Sequence, residues 1–191
     1  MKNKEKLLEE AKWGKLNPED LKLVIQTIQS SKPGDDEDLY TWIHILGRSR
    51  NVQYRKLVEY FLYYPSNPMI SYIALKTLCN YWHFTKDYLK EIKSFIKGVD
   101  WDQDQDLHDL AISCAGSFLQ NEEDKELLEL IVEIVQNFAA LEKDSLDAVS
   151  WESAFTALVR AMGKEVKEVN GTEELKALLQ QAKQRLENLN R

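Results

Sequence analysis

The segment 69–99 constrains the fold most, because it contains two helical stretches that cannot bury their apolar faces without help. Met69 to Trp82 is apolar around most of its circumference, which is typical of a helix covered on several sides. Lys86 to Lys97 is polar except for one stripe, formed by Leu89, Ile92, Phe95 and Ile96. Such a pair needs similar pairs on both sides, so the sequence predicts a stacked array of helices.

The chain as a whole favours the all-α class. Only 7 Gly and 4 Pro occur, and no region alternates apolar and polar residues as a half-buried strand does. We therefore predict one all-α domain over residues 1–191, built as a short α-solenoid of antiparallel helix pairs. Its predicted parts are N-terminal helices in 4–31, repeat-like pairs over about 38–164, and a C-terminal helix at 172–189.

Local signals set several helix boundaries. Asn17 followed by Pro18 is typical of a cap and first helical residue, and Pro33 with Gly34 would end that helix. The apolar spacing predicts further helices at 39–48, 52–63, 107–119 and 127–138, and Gly163 is expected to end another one.

Four of the predicted helices end in similar strings whose last residue is small: Gly47, Cys79, Gly116 and Gly163. The intervals between these residues grow from 32 to 37 to 47, which indicates a degenerate repeat with insertions. Small residues permit close helix contacts. Over about Asp38 to Lys164 the pattern resembles HEAT-type repeats, although the Pro, Asp and Arg positions usual in that family are mostly absent. The resemblance implies a fold and not a function.

Acidic residues precede several of the predicted first helices of these pairs. Because equivalent loops of a solenoid lie along one edge, we expect these residues to form a negative ridge with aromatic residues beside it. The aspartates are Asp35, Asp36, Asp38, Asp100, Asp102, Asp104, Asp106, Asp144 and Asp147, and the aromatic residues are Tyr40, Trp42, Trp101 and Trp151. The alternative is that the acids only complement helix dipoles.

Aromatic residues are also concentrated between residues 54 and 84. Helical spacing leaves Tyr60, Tyr63 and Tyr64 outside the apolar stripe, so they are candidates for lining a binding groove. Packing within the core or between repeats is the alternative for all three.

No arrangement of residues calls for catalysis, a metal or a cofactor. The three histidines do not stand at metal-ligand spacing, and His44 is expected to be a satisfied core or groove residue. A calcium loop starting at Asp100 or Asp102 would lack both its Gly and its terminal Glu. Cys79 and Cys114 read as buried free thiols.

The charge and the start of the chain indicate the environment and the partner. The formal charge is −7, which opposes nucleic acid as a partner and favours a basic protein. We find no secretory signal and no membrane span, so a cytoplasmic protein, monomeric when free, is expected.

In size, charge and fold the chain resembles bacterial immunity proteins, which neutralise a basic toxin such as a nuclease. This resemblance implies a non-catalytic protein-binding module. One alternative is a scaffold or adaptor that binds a peptide helix in an aromatic groove. The other is a HEAT-like DNA glycosylase. Such an enzyme would need a cationic concave face, for which the chain offers mainly the lysines of residues 86–97 and Arg48, Arg50 and Arg55.

Overall fold

A computed structural model describes residues 3–32, 36–137, 146–169 and 172–189. Within these ranges the chain forms ten α-helices and no strand, which confirms the all-α prediction. The helices are α1 (Lys4–Lys12), α2 (Pro18–Ser30), α3 (Asp36–Arg48), α4 (Arg55–Glu59), α5 (Pro68–Lys76), α6 (Leu89–Ile96), α7 (Asp106–Leu119), α8 (Lys125–Gln136), α9 (Leu146–Ala161) and α10 (Thr172–Asn188). None of them combines the length and the apolarity that crossing a bilayer requires, among the residues described.

The chain divides into two compact units, an N-terminal unit of Met1–Thr85 and a C-terminal unit of Lys86–Arg191. Each is an arrangement of packed helices with its own buried core. The single domain and the solenoid arrangement stay predictions. Pro33, Gly34, Asp35, Phe138 and Asp144 lie outside the described residues.

In the N-terminal unit, α3 is the central helix and packs against α1, α2 and α5. Its buried side chains are Leu39, Trp42, Ile43, Ile45 and Leu46. The start of α2 is as predicted, because the Asn17 side chain accepts a hydrogen bond from the Asp20 N–H over 2.8 Å and Pro18 is the first helical residue.

Two predicted helices of this unit differ from the structure. The predicted helix at 52–63 is a 3₁₀ turn at Val52–Tyr54 followed by the short α4. After Glu59 the bonds from the N–H groups of Phe61 and Leu62 reach back only three residues, and Pro65 prevents the helix from continuing.

The predicted helix Met69 to Trp82 is α5 followed by a π-helical turn, Thr77–Tyr81. The N–H of Trp82 bonds to the carbonyl of Thr77, five residues back, over 3.0 Å. Thr77 is polar but fully buried, because its side chain lies against Gly47 of α3.

The C-terminal unit is built around α7 and α9, which pack most closely on each other. Helix α6 packs on α7, while α8 packs on α9 and α10. Arg185 of α10 donates to the carbonyls of Leu119, Glu122 and Ala161 at 2.9–3.0 Å, which satisfies carbonyl groups left open at the ends of α7 and α9.

The small residues predicted to permit close contacts have different roles. A Cβ on Gly116 would lie 2.6 Å from Cα of Ala157, so only glycine fits where α7 meets α9. Gly47 lies similarly close to the π turn, where an added Cβ would be 2.9 Å from Cδ2 of Tyr81. Gly163 has open space and a φ of +68°, so it ends α9, as predicted, and does not mediate a contact.

Candidate functional site

Two aspartates of the first acidic run, Asp36 and Asp38, lie inside a helix. Asp36 and Asp38 belong to the first turn of α3, where negative charge is favourable against the helix dipole. Asp38 also forms an ion pair with Lys4 of α1. Both residues therefore contribute to the fold as well as to the surface.

The structure joins this acidic run to the tyrosines that the sequence placed in a separate groove. The Tyr64 hydroxyl donates to a carboxylate oxygen of Asp36 over 3.1 Å, and the Tyr64 N–H donates to the Ser71 hydroxyl over 2.9 Å. Burial, together with the hydrogen bond to Asp36, raises the pKa of Tyr64. Tyr64 thus remains a protonated donor that holds the turn after α4 beside the start of α3.

Two neighbouring tyrosines are available at the surface. Tyr60 is 77% exposed and Tyr63 is 50% exposed, although Tyr60 makes an edge contact with the buried ring of Phe61, 5.2 Å between centroids. We call Asp36, Asp38, Tyr60, Tyr63 and Tyr64 the acidic tyrosine surface. Exposed aromatic rings on a turn that is hydrogen-bonded to an acidic helix start have the composition of a protein interface.

Tyr40 does not belong to this surface, because its ring packs on His44 with 6.2 Å between centroids. His44 is also stacked on Tyr81 at 5.8 Å, and its Nε2 lies 3.2 Å from the Tyr81 hydroxyl. Burial and the charges of Arg48, Lys76 and Lys12 lower the pKa of His44 to about 4, so it is neutral near pH 7. It is the satisfied groove histidine that the sequence predicted.

In the C-terminal unit, the aspartates of the second acidic run divide into a buried one and three exposed ones. Asp102 is only 6% exposed, and its carboxylate accepts hydrogen bonds from the N–H groups of His108, at 2.9 Å, and Leu107, at 3.5 Å. It thereby caps α7 in place of Gln105, which precedes that helix in a left-handed conformation. The Asp102 carboxylate is committed to the fold.

Asp100, Asp104 and Asp106 are exposed, and Trp101 makes an edge contact with Phe95 at 6.3 Å. Burial and the charges of neighbouring aspartates, Asp102 and Asp104 first among them, raise the pKa of Asp106. The aspartates of the turn at residues 100–106 thus repel one another, as their alternation in the sequence indicates. Its role in binding stays a prediction.

A cavity of about 430 Å³ that is lined by both apolar and polar side chains lies at this turn. Ser150 of α9 donates to the side-chain oxygen of Gln105 over 2.7 Å and lies 3.2 Å from Nδ1 of His108. Asp109 approaches the same Nδ1, at 3.4 Å. A catalytic triad needs its serine and its carboxylate on different ring nitrogens, so this arrangement does not provide one.

The cavity could not be found from the sequence, because 45 residues separate Gln105 from Ser150. The predicted negative ridge, which the uncharged Ser66 and Asn67 would interrupt, includes residues of both units and stays a prediction. Of its remaining members, Trp151 is stacked on Phe155 at 5.3 Å, and the side chain of Asp147 lies outside the described residues.

No protein-family model, curated protein or solved structure matches this chain. The function proposed for it is therefore argued from its own residues.

Proposed function

We propose that this protein is a non-catalytic protein-binding module whose acidic tyrosine surface takes a basic protein partner. The observation that carries the proposal is the hydrogen bond from Tyr64 to Asp36. It fastens the turn that carries the exposed Tyr60 and Tyr63 to the first turn of α3, which carries Asp36 and Asp38. Rigid aromatic rings supply contact area at a low entropic cost, and the carboxylates would steer a cationic partner toward them.

The partner we propose is a basic toxin, such as a nuclease, that the module neutralises by covering its active site. The HEAT-like solenoid is part of this proposal, and the close contacts at Gly47 and Gly116 support it as places where one helix of a pair meets the next pair. The acidic composition of the C-terminal unit would add long-range attraction for the same partner.

Affinity capture with matched baits tests this function. The baits are the wild-type protein, a Tyr60→Ala/Tyr63→Ala double variant, and Trp13→Ala, which removes a 70% exposed aromatic residue elsewhere in the same unit. We expect one stoichiometric basic protein that wild type and Trp13→Ala retain, that salt releases, and that the tyrosine variant captures at least tenfold less.

Equal capture by all three baits would reject the acidic tyrosine surface as the site. Release by detergent but not by salt would favour the adaptor alternative, in which the tyrosines hold a peptide helix through apolar contacts. A low-salt mobility-shift assay with duplex DNA tests the glycosylase alternative, because the lysines of residues 86–97 and Arg48, Arg50 and Arg55 are the cations that would have to bind the phosphates.

A further inference from the structure

A pocket in the N-terminal unit has a charge opposite to that of the acidic tyrosine surface and shares no residue with it. It is a pocket of about 420 Å³ where the end of α3 meets the π turn. We call it the cationic pocket, and the residues that define it are Lys12, Arg48, Arg50, Tyr81, Trp82 and His83. No Asp or Glu is among the residues that line it.

Arg48 is held in place without an acidic partner. Its guanidinium carbon lies 4.3 Å from the centre of the Tyr81 ring, and its Nε donates to His44 over 3.4 Å. Among the residues that the structure describes, no carboxylate forms an ion pair with Arg48 or Arg50. The Nη groups of a fixed guanidinium can bind an oxyanion through two parallel hydrogen bonds.

The backbone of the pocket is unusual at two of its residues. Arg50 has a φ of +57° and His83 a φ of +61°, a left-handed conformation that side chains with a Cβ rarely adopt. Glycine or asparagine normally occupies the position after a helix end. Backbone strain of this kind concentrates at functional sites, and here it occurs twice on the rim of one pocket.

A purely structural role explains only part of this arrangement. Cations near the C-terminal end of α3 complement its dipole, which accounts for Arg48. It does not account for Arg50 and His83, where glycine would relieve the strain at no cost in contacts within the helix. The floor is also fixed, because the buried Trp82 indole donates to the Gly47 carbonyl over 3.0 Å.

We propose that the cationic pocket binds the oxyanion group, phosphate or carboxylate, of a small molecule. The volume falls in the range of small-molecule sites and exceeds what a free phosphate ion fills. Arg48 and Arg50 bind the oxyanion group, and the polar side chain of Asn80 faces the remainder of the ligand. Lys12 also lines the pocket, but its ammonium is paired with the Glu9 carboxylate over 3.4 Å, so the two arginines carry the charge.

Isothermal titration calorimetry on the full chain tests the proposal, with inorganic phosphate, glycerol 3-phosphate and succinate as probes at constant ionic strength. We expect Arg48→Gln and Arg50→Gln each to raise the Kd of the best probe about tenfold. Lys56→Gln is the matched control, because it removes the same charge from a side chain that is 93% exposed and outside the pocket, and it should change the Kd less than twofold.

An Arg50→Gly variant separates binding from folding. It relieves the left-handed strain, so its Tm should equal or exceed that of wild type while its affinity falls as in Arg50→Gln. Preference for glycerol 3-phosphate over succinate would assign a phosphate ester, and the reverse preference a carboxylate. Binding no tighter than that of chloride, or an equal loss in Lys56→Gln, would overturn the proposal.

Discussion

The two units differ in how they use charge. The N-terminal unit has 12 basic and 10 acidic residues, whereas the C-terminal unit has 13 basic and 22 acidic residues. In the acidic unit, charged side chains form ion pairs with one another. Lys93, for example, lies 2.8 Å from Asp124 and 3.1 Å from Glu126. The nearly balanced unit instead holds two arginines in a pocket without acids. A formal charge of −7 for the chain therefore averages over two different surfaces.

The packing of the two units can be compared at their buried glycines. We expect Gly116→Ala to lower the free energy of unfolding by about 3 kcal/mol, because its Cβ would meet the backbone of Ala157. Gly47→Ala should cost about 1–2 kcal/mol, since the Thr77 side chain and the Tyr81 ring can shift slightly. Urea denaturation followed by far-UV circular dichroism measures both. Equal losses would show that α7 and α9 adjust more easily than their contact indicates.

The arginines of the two units can be compared in the same way. Arg185→Ala should cost about 2 kcal/mol, because it leaves three backbone carbonyls without their charged donor. Arg48→Gln should cost less than about 1 kcal/mol, since it removes a contact with one ring and one hydrogen bond. Denaturation curves at pH 7 give both values. A larger loss in Arg48→Gln would make that residue primarily structural.

Acidification should affect the two units in opposite directions. Because the pKa of His44 is lowered to about 4, the unfolded chain binds a proton that the native chain does not between about pH 6.5 and pH 4. The free energy of unfolding is therefore unaffected by protonation of His44 above pH 6.5. It falls as the pH drops toward 4, by about 1–2 kcal/mol after allowing for the partial exposure of the side chain. Unfolding of wild type and His44→Gln at pH 7 and pH 4.5 measures the difference.

Asp106 in the C-terminal unit should have the opposite effect to His44. Its pKa is raised in the native chain, so the native chain binds the proton more tightly than the unfolded chain does. Its ionisation therefore weakens the native state as the pH rises past the ordinary carboxyl range, and protonation restores that stability. An Asp106→Asn variant should lose this acid-side gain. If His44→Gln kept the full loss between pH 7 and pH 4.5, the histidine would not be its source.

The smallest expected effects concern two aspartates in the turn before α7, Asp102 and Asp104. Asp102→Ala should cost about 1 kcal/mol, because the N–H groups of Leu107 and His108 lose their acceptor. Asp104→Ala removes an exposed charge that repels Asp106, and we expect a change within about 0.5 kcal/mol. Thermal unfolding of both variants provides the comparison. Equal effects would show that burial does not distinguish their roles.

Features set by adjacent residues could be predicted from the sequence. The cap at Asn17 and Pro18 and the helix α7 depend on interactions within one or two turns, and both are present as expected. The path after Lys76 could not be predicted, because Thr77 is buried by the approach of Gly47, thirty residues earlier in the chain. The apolar pattern shows that 69–82 is buried but does not show its pitch.

In the candidate sites, too, local features could be predicted from the sequence, whereas contacts between distant residues could not. Each half of the acidic tyrosine surface was visible in the sequence, but 28 residues separate Asp36 from Tyr64, so their contact was not. The capping role of Asp102 could not be predicted for a related reason. Alternating aspartates look equivalent in the sequence, and only the turn before α7 decides which carboxylate faces the helix. The cationic pocket joins side chains near residues 12, 50 and 82, which no local pattern connects.

The π turn at Thr77–Tyr81 directly follows α5 and is wider than an α-helical turn, because the Trp82 N–H bonds to the carbonyl five residues back. Each residue of an α-helix advances the side chains by about 100° around the axis, and each residue of the wider turn advances them by less. Continuing the α-helical pitch through the same residues would therefore rotate Tyr81 and Trp82 away from His44 and from the Gly47 carbonyl together. The wider turn sets the angular position of both rings, so the contacts at the end of α3 and the cationic pocket depend on the same local pitch.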